Sequence, residues 1–110
     1  MLCAMSQPMS YAEALRLKLT ELMGTVFFSD MRAHLERDAV VVISPELALI
    51  EVAIAVANDA ASLVEGWIRD GSMRKPSLGE RTSWPNDEGR TWLAVVVQPF
   101  VLVQDAREIN

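Results

Sequence analysis

Residues 91–104 read TWLAVVVQPFVLVQ and contain no charged side chain. This segment is shorter than the roughly 20 residues that a helix needs to cross a bilayer, so we expect no membrane anchor. Its valine and phenylalanine residues favour strands, and Pro99 would interrupt a helix at its middle. Because proline cannot donate to a strand ladder, position 99 must lie at an edge, a bulge or a bend. The segment predicts one bent strand, or two strands that meet at Pro99.

A second apolar region lies in the middle of the chain. Residues 39–43 form an unbroken apolar run, which is typical of a short strand covered on both faces. Ser44 and Pro45 then have the residue types of a helix cap and a first helical position. Residues 47–57 carry a single charge and predict a helix that is buried nearly all round. We expect the strand to pair with residues 93–97 over this helix.

Short motifs mark the remaining helices. Residues 10–13 and 77–80 both read Ser-x-x-Glu, the pattern of a capping box. In this motif the hydroxyl and the carboxylate each bind an amide that would otherwise be left without a partner. Ser29 can cap a second helix, and Asp59 can cap a later one that ends before Gly71. Glycine suits the left-handed position that follows a helix.

The order of these elements resembles a winged helix. After the first helix come a helix, a strand, a helix, a tight turn, a helix, a short strand at residues 72–75 and the long apolar segment. We therefore predict an α+β fold with a winged-helix-like core and an extra N-terminal helix. Residues 10–105 are expected to form a single domain, between a disordered segment at 1–9 and a tail at 106–110.

Composition limits the classes of function. The chain has 110 residues, 51% of them hydrophobic, which is enough to form a core without disulfides. Its net charge of -5 disfavours attraction to nucleic acid and to anionic lipid. Cys3 is the only cysteine, so an internal disulfide is excluded and a cytoplasmic setting is favoured.

Two ionisable residues are candidates for a pocket. Glu51 interrupts an apolar helix, so it either points to solvent, pairs with a cation, or is buried with a raised pKa and serves as a general acid. His34 is the only histidine and has no second histidine with which to share a metal ion. We therefore assign no catalytic residue, no metal site and no cofactor, and an enzyme ranks third among the hypotheses.

Nucleic-acid binding is the alternative that the winged-helix order suggests. The candidate contacts are the basic residues in and after the last helix of the core, Arg69, Arg74, Lys75 and Arg81. Neighbouring acidic residues nearly cancel their charge, which disfavours a phosphate-binding surface.

A protein partner is the preferred hypothesis. Trp84 precedes a proline in a polar region and predicts an exposed anchor. Phe100 and Leu102 belong to a strand that would be an aggregation hazard if its edge stayed open. We expect this C-terminal strand to pair with a partner, most simply a second copy in a two-fold interface. The expected function is a non-catalytic interaction or regulatory domain that self-associates.

Three parts of the sequence are similar to a known family. They are LIEVA at residues 49–53, Val64 and Trp67 followed by Gly71, and WLAVVVQPFVLVQ at residues 92–104. On these motifs the chain resembles, from about Leu17 to Gln104, a group of small bacterial proteins that share domain of unknown function twenty-two eighty-eight. The resemblance implies a bacterial, cytosolic protein and no known activity, so it supplies no mechanism.

Overall fold

The fold is an α+β arrangement in which helices cover both faces of a five-stranded sheet. The computed structural model describes residues 10–106; the predictions made for residues 1–9, Cys3 included, and for 107–110 lie outside this range. The helices are α1 (Tyr11–Leu22), α2 (Phe28–Glu36), α3 (Leu49–Ala57), α4 (Ala61–Arg69) and α5 (Leu78–Ser83), followed by a 3₁₀ helix at Trp84–Asn86. The strands are β1 (Gly24–Phe27), β2 (Val40–Ile43), β3 (Met73–Arg74), β4 (Thr91–Val97) and β5 (Phe100–Asp105).

The uncharged segment forms the hairpin β4–β5. Val97 lies opposite Phe100, and the peptide bond before Pro99 is cis, as in a type VI turn with proline at its third position. The prediction that two strands meet at Pro99 is confirmed.

β5 lies at the centre of the sheet, whose strand order is β1-β4-β5-β2-β3. It pairs with β4 in antiparallel and with β2 in parallel, with Val40 opposite Val101. The other two pairs, β1 with β4 and β2 with β3, are antiparallel. Leu102 and Val103 on opposite faces of β5 are both fully buried. A nearly continuous apolar run of this kind is typical of a strand that is buried on both faces of a sheet.

Three predictions about the sheet need correction. The predicted pairing of residues 39–43 with residues 93–97 is wrong, because β5 lies between β2 and β4. The open edge expected for the C-terminal strand is also wrong, since β5 has hydrogen-bonded neighbours on both sides. The winged-helix order is not confirmed, because residues 24–27 add a strand before α2 and β2–β5 is parallel. The broader α+β class is confirmed.

The core consists of two clusters, one on each face of the sheet. α1, α3 and α4 cover the first cluster, which includes Leu19, Val52 and Leu102. α2 and the 3₁₀ helix cover the second, which includes Met31, Trp84 and Val103. The prediction that residues 47–57 supply a buried helix is confirmed within α3, whose Val52 and Ala53 have no exposed surface.

The start of α3 differs from the prediction. Ser44, Pro45, Glu46 and Leu47 form a turn, because the Leu47 N–H donates to the Ser44 carbonyl at 3.1 Å. The Glu46 N–H donates to Ser44 Oγ at 3.2 Å, so the Ser44 hydroxyl is used inside the turn. Proline suits the second position of such a turn as well as it suits the start of a helix. The helix therefore begins at Leu49 and not at Pro45.

Two other predicted helix caps also differ. α2 begins at Phe28, and the carboxylate of Asp30, not the hydroxyl of Ser29, binds the free Phe27 N–H at 2.9 Å. Asp59 has a positive φ of 55° and lies in the tight turn, so Ala60 is the residue before α4. The capping boxes at residues 10–13 and 77–80 are confirmed, and Gly71 has the expected positive φ of 85°.

A buried amide connects the end of β5 to the β2–α3 turn. Gln104 is 2% exposed, and its Nε2 donates to the Ser44 carbonyl at 2.9 Å and to the Leu47 carbonyl at 2.6 Å. Both carbonyls belong to the turn at residues 44–47, and the Ser44 carbonyl also accepts the Leu47 N–H. Gln104, near the end of β5, therefore fixes the turn that follows β2, the strand that runs parallel to β5.

Replacing Gln104 by methionine should destabilise the protein, because methionine has a similar length but cannot donate to the two carbonyls. We expect Gln104→Met to lower the free energy of unfolding by about 1–3 kcal/mol in urea denaturation. Gln98→Met, at an exposed turn position, is the matched control and should change it by less than about 0.5 kcal/mol. Equal effects of the two changes would contradict the structural role of Gln104.

Candidate functional site

An apolar cleft of about 520 Å³ lies between α4 and the end of the sheet that is formed by β2 and β3. Its lining residues are Val41, Val56, Asp59, Ala61, Val64, Glu65, Ile68, Met73, Arg74, Lys75 and Phe100. We call it the α4 cleft. The lining comes from the end of α3, the turn that follows it and α4, and from β2, β3, Lys75 and Phe100 of the hairpin. Its size is within the range of binding sites in proteins.

The cleft exists because α4 is only partly covered. None of the nine residues of α4 is fully buried. Val64 and Trp67 pack against the core cluster, whereas Leu63 and Ile68 remain 51% and 57% exposed. These two residues are five positions apart, or about 140° around a helix, so one flat contact cannot cover both. The side chain of Ile68 is consequently left at the edge of the cleft.

Phe100 is the one residue predicted to contact a partner that lies at this cleft. It opens β5 directly after Pro99 and is 37% exposed, whereas the next four residues, 101–104, are buried. The other two predictions are wrong: Trp84 and Leu102 are 2% and 0% exposed. Trp84 is buried because its ring packs edge-on against Trp92, with ring centroids 5.1 Å apart. The proline after it continues the 3₁₀ helix and does not expose it.

Four charged residues line the cleft, namely Asp59 and Glu65 from the turn before α4 and from α4, and Arg74 and Lys75 from β3 and the residue after it. Arg74 lies opposite Val42, which packs against the second core cluster, so its guanidinium lies with Glu80 on the other face of the sheet. About half of the side-chain surface of each basic residue is exposed, 46% and 49% respectively. The lining of the cleft is therefore mainly apolar, with Asp59, Glu65 and Lys75 as the charged side chains on its side of the sheet.

The basic residues predicted for nucleic acid are largely paired with acidic groups. The guanidinium of Arg74 donates to both carboxylate oxygens of Glu80, at 2.7 and 2.9 Å. Arg81 Nη2 and Lys75 Nζ both approach the carboxylate of Asp38, at 2.7 and 3.4 Å. These ion pairs balance the positive charge that a phosphate backbone would need.

The remaining predicted contact, Arg69, is exposed at the end of α4. The structure therefore does not bring the four basic residues together as one cationic surface. The ion pairs have a structural role instead. Arg81 also donates to the Leu35 carbonyl at 3.3 Å and Lys75 to the Asp38 carbonyl at 2.6 Å, which joins the α5 region to the end of α2.

The two residues proposed for a pocket lie on opposite faces of the sheet. Glu51 on α3 is exposed and forms an ion pair with Arg16 of α1, 2.8 Å apart. His34 on α2 is half-buried, and its Nδ1 is hydrogen-bonded to the Arg37 guanidinium. It borders a small cavity of about 130 Å³ beside β4. Within residues 10–106, no three His, Cys, Asp or Glu side chains are placed to hold a metal ion.

An arginine held between two tryptophans was not foreseen from the sequence. The guanidinium carbon of Arg90 lies 4.9 Å from the Trp92 ring centre and 5.8 Å from that of Trp84. Its two terminal nitrogens bind Asp87 and Asp105, and its side chain is 14% exposed. Its Nε has no hydrogen-bond partner among the described residues. A polar loop residue of this kind has no periodicity that could have revealed its burial.

The arrangement around Arg90 closes the base of the β4–β5 hairpin, since Asp105 ends β5 and Arg90 precedes β4. A polar pocket of about 380 Å³ adjoins it. The pocket contains two arginines and two carboxylates, Arg74 with Glu80 and Arg90 with Asp105. Each charge in these two pairs already has a partner of opposite sign, which indicates a structural network.

The Arg74–Glu80 pair gives the protein a defined acid sensitivity. The hydrogen-bonded Arg74 guanidinium lowers the pKa of Glu80 from 4.5 to about 2, with help from hydrogen bonds to Ser77 and against the effect of burial. A folded-state pKa below that of the unfolded chain stabilises the fold above pH 4.5. This stabilisation is lost as the pH falls from about 4.5 towards 2.

Replacing Glu80 by glutamine tests the direction of this pH dependence, since glutamine can still serve in the capping box but has no charge. At pH 7 we expect Glu80→Gln to be less stable than the unaltered protein. The difference in the free energy of unfolding should narrow as the pH falls from about 5 to 2. The control is Glu88→Gln in the exposed loop, which should show no such narrowing. A Glu80→Gln difference that widens towards acid would contradict the assignment.

Replacing Arg90 by lysine keeps the charge but removes the planar group that binds two carboxylates at once. We expect Arg90→Lys to lower the free energy of unfolding by about 2 kcal/mol, measured by chemical denaturation with tryptophan fluorescence. Arg32 is the matched control, because its guanidinium lies 5.0 Å from the Phe28 ring centre on an exposed surface. Arg32→Lys should change stability by less than about 0.5 kcal/mol. If both changes have the same small effect, the Arg90 network contributes little.

Similarity to known proteins shows the family of the chain and a similar fold. No helix among residues 10–106 is long and apolar enough to span a bilayer. No curated protein matches the chain. A similar solved structure is the NMR solution structure of PA1075 from Pseudomonas aeruginosa, with 26% sequence identity and a TM-score of 0.71. The match covers 93% of this chain and 91% of that one. A family model described as "Protein of unknown function (DUF2288)" matches residues 14–105, so the chain belongs to this family.

Proposed function

We propose that this protein is a non-catalytic interaction domain that binds a protein partner at the α4 cleft. The observation that carries the proposal is the exposed apolar surface of Ile68 and Phe100 beside a cleft whose floor reaches Val41 and Met73. Soluble monomeric proteins rarely expose a contiguous apolar surface of large area, and such surfaces commonly mark interaction sites. A small regulatory or adaptor role is consistent with this surface.

The lining of the cleft supports binding over catalysis. It contains aliphatic side chains, one phenylalanine, one methionine and four charged residues, and no serine, threonine, cysteine, histidine or tyrosine among the described residues. A nucleophile with an adjacent base, which most hydrolytic and transfer reactions need, is therefore missing from this part of the surface. Asp59 and Glu65 are exposed, so their carboxylates remain hydrated.

Binding to nucleic acid is less well supported than binding to protein. The net charge of -5 opposes it, and three of the four basic residues first considered are engaged with Asp38 or Glu80. A bacterial, cytoplasmic setting is part of the proposal, because the chain has a single cysteine and the similar solved structure is from Pseudomonas aeruginosa.

Site-specific photo-crosslinking in the native cell tests the proposal. A photoreactive amino acid at position 68 should give a discrete crosslinked protein band, because this position borders the cleft. Position 78 is the matched control, since Leu78 is 80% exposed but lies outside the cleft. Adding Phe100→Glu should reduce the crosslink from position 68 at least about tenfold, by placing a charge in an apolar contact. No band at position 68 beyond those seen at position 78 would contradict the proposal.

A further inference from the structure

We infer that the partner segment bound at the α4 cleft is an amphipathic helix that carries lysine or arginine beside its apolar residues. This inference rests on the proposed function and names the chemistry of the partner. Three features of the cleft support it: the stripe of side chains that α4 presents, the charges without partners, and the short edge strand beside it.

α4 presents one stripe of side chains to the cleft. Its lining residues are Ala61, Val64, Glu65 and Ile68, which lie three, four and seven positions apart and therefore share one face of the helix. Val64 also packs against the core, whereas Ile68 is 57% exposed. Helices associate by fitting such a row of side chains into the grooves of a second helix. A helix bound along this stripe would also contact β2 and β3, because both strands line the cleft.

The carboxylates of the cleft have no partner of opposite charge. Asp59 and Glu65 form no ion pair and no side-chain hydrogen bond with any other residue in the range 10–106. Lys75, on the same side of the sheet, is already held by Asp38, with its Nζ 3.4 Å from the carboxylate and 2.6 Å from the carbonyl oxygen. Arg69 follows Glu65 by one turn but does not line the cleft.

The charge that the cleft leaves without a partner is therefore negative. A lysine or arginine on the bound helix would supply the opposite charge to Glu65, which lies within the stripe between Ala61 and Ile68. Charged residues that flank the apolar seam of a coiled coil select partners in the same way. The net charge of -5 attracts a basic segment at longer range as well.

An extended segment fits the cleft less well than a helix. Its backbone N–H and C=O groups would need hydrogen-bond partners, which an apolar lining does not provide. The nearest sheet edge is β3, which has only two residues and is followed by Lys75 and Pro76. Charged residues and proline prevent edge strands from pairing. A helix satisfies its own backbone, so only its side chains have to match the cleft.

A pair of synthetic peptides tests the inference on the full-length protein. The probe is a fluorescein-labelled peptide that repeats Leu-Lys-Lys-Leu-Leu-Lys-Ala, which is amphipathic as a helix, and its counterpart has glutamate in place of every lysine. Fluorescence anisotropy should show that the basic peptide binds about tenfold or more tightly than the acidic one. Ile68→Gln should weaken binding of the basic peptide about fivefold, because it removes an apolar contact.

Charge reversal in the cleft separates this contact from general attraction to an acidic protein. Glu65→Lys should weaken binding of the basic peptide about tenfold or more and strengthen binding of the acidic one. The matched control is Glu21→Lys, the same charge change at an exposed position of α1 outside the cleft, which should alter binding less than about threefold. Thermal unfolding of each variant confirms that it is folded before its binding is interpreted.

The outcomes distinguish this inference from the proposed function. Equal binding of the two peptides, or equal binding of the basic peptide by Glu65→Lys and Glu21→Lys, overturns the inference. The proposed function then still stands if position 68 gives its crosslink. A chain that is dimeric in analytical ultracentrifugation and becomes monomeric with Ile68→Gln also overturns the inference, because a second copy would then occupy the cleft.

Discussion

The parallel pairing of β2 with β5 is the contact on which the rest of the fold depends. Val40, Val42, Val101 and Val103 lie side by side in this pair, and β5 is buried on both faces. Because β5 also pairs with β4, it connects the two halves of the sheet. Both core clusters include residues of β5. The apolar side chains of α3 on one face of the sheet and those of α2 on the other therefore share a cluster with the same strand.

Patterns that depend on neighbouring residues were sufficient to predict many elements of the fold. The buried helix, the hairpin at Pro99 and both capping boxes follow from residue types at short spacing. Strand order did not follow, because every strand in the centre of a sheet is similarly apolar and several pairings satisfy the same pattern. β1 was missed because its four residues come directly between two helices. A short strand of this kind is identified only by its pairing in the folded sheet, here with residues 91–94 of β4.

The site was only partly predictable, since exposure depends on which helices cover which faces. Phe100 was identified as a contact residue, but Ile68, which also lines the cleft, was not, because it continues the apolar spacing of α4. Trp84 was expected at the surface because its neighbours are polar, although tertiary packing buries it. Glu51 is exposed and forms an ion pair with Arg16 of α1, a contact between helices that local sequence does not encode.

The central position of β5 has a consequence for synthesis on the ribosome. β1, β2 and β3 all emerge before residues 100–105, yet β2 and β4 can be joined into one sheet only through β5. A nascent chain that lacks β5 therefore has neither the β5 partner of β2 nor the apolar side chains of β5 that pack in both core clusters. Unpaired strand edges and exposed apolar surface of this kind make an incomplete chain prone to aggregation until β5 is added.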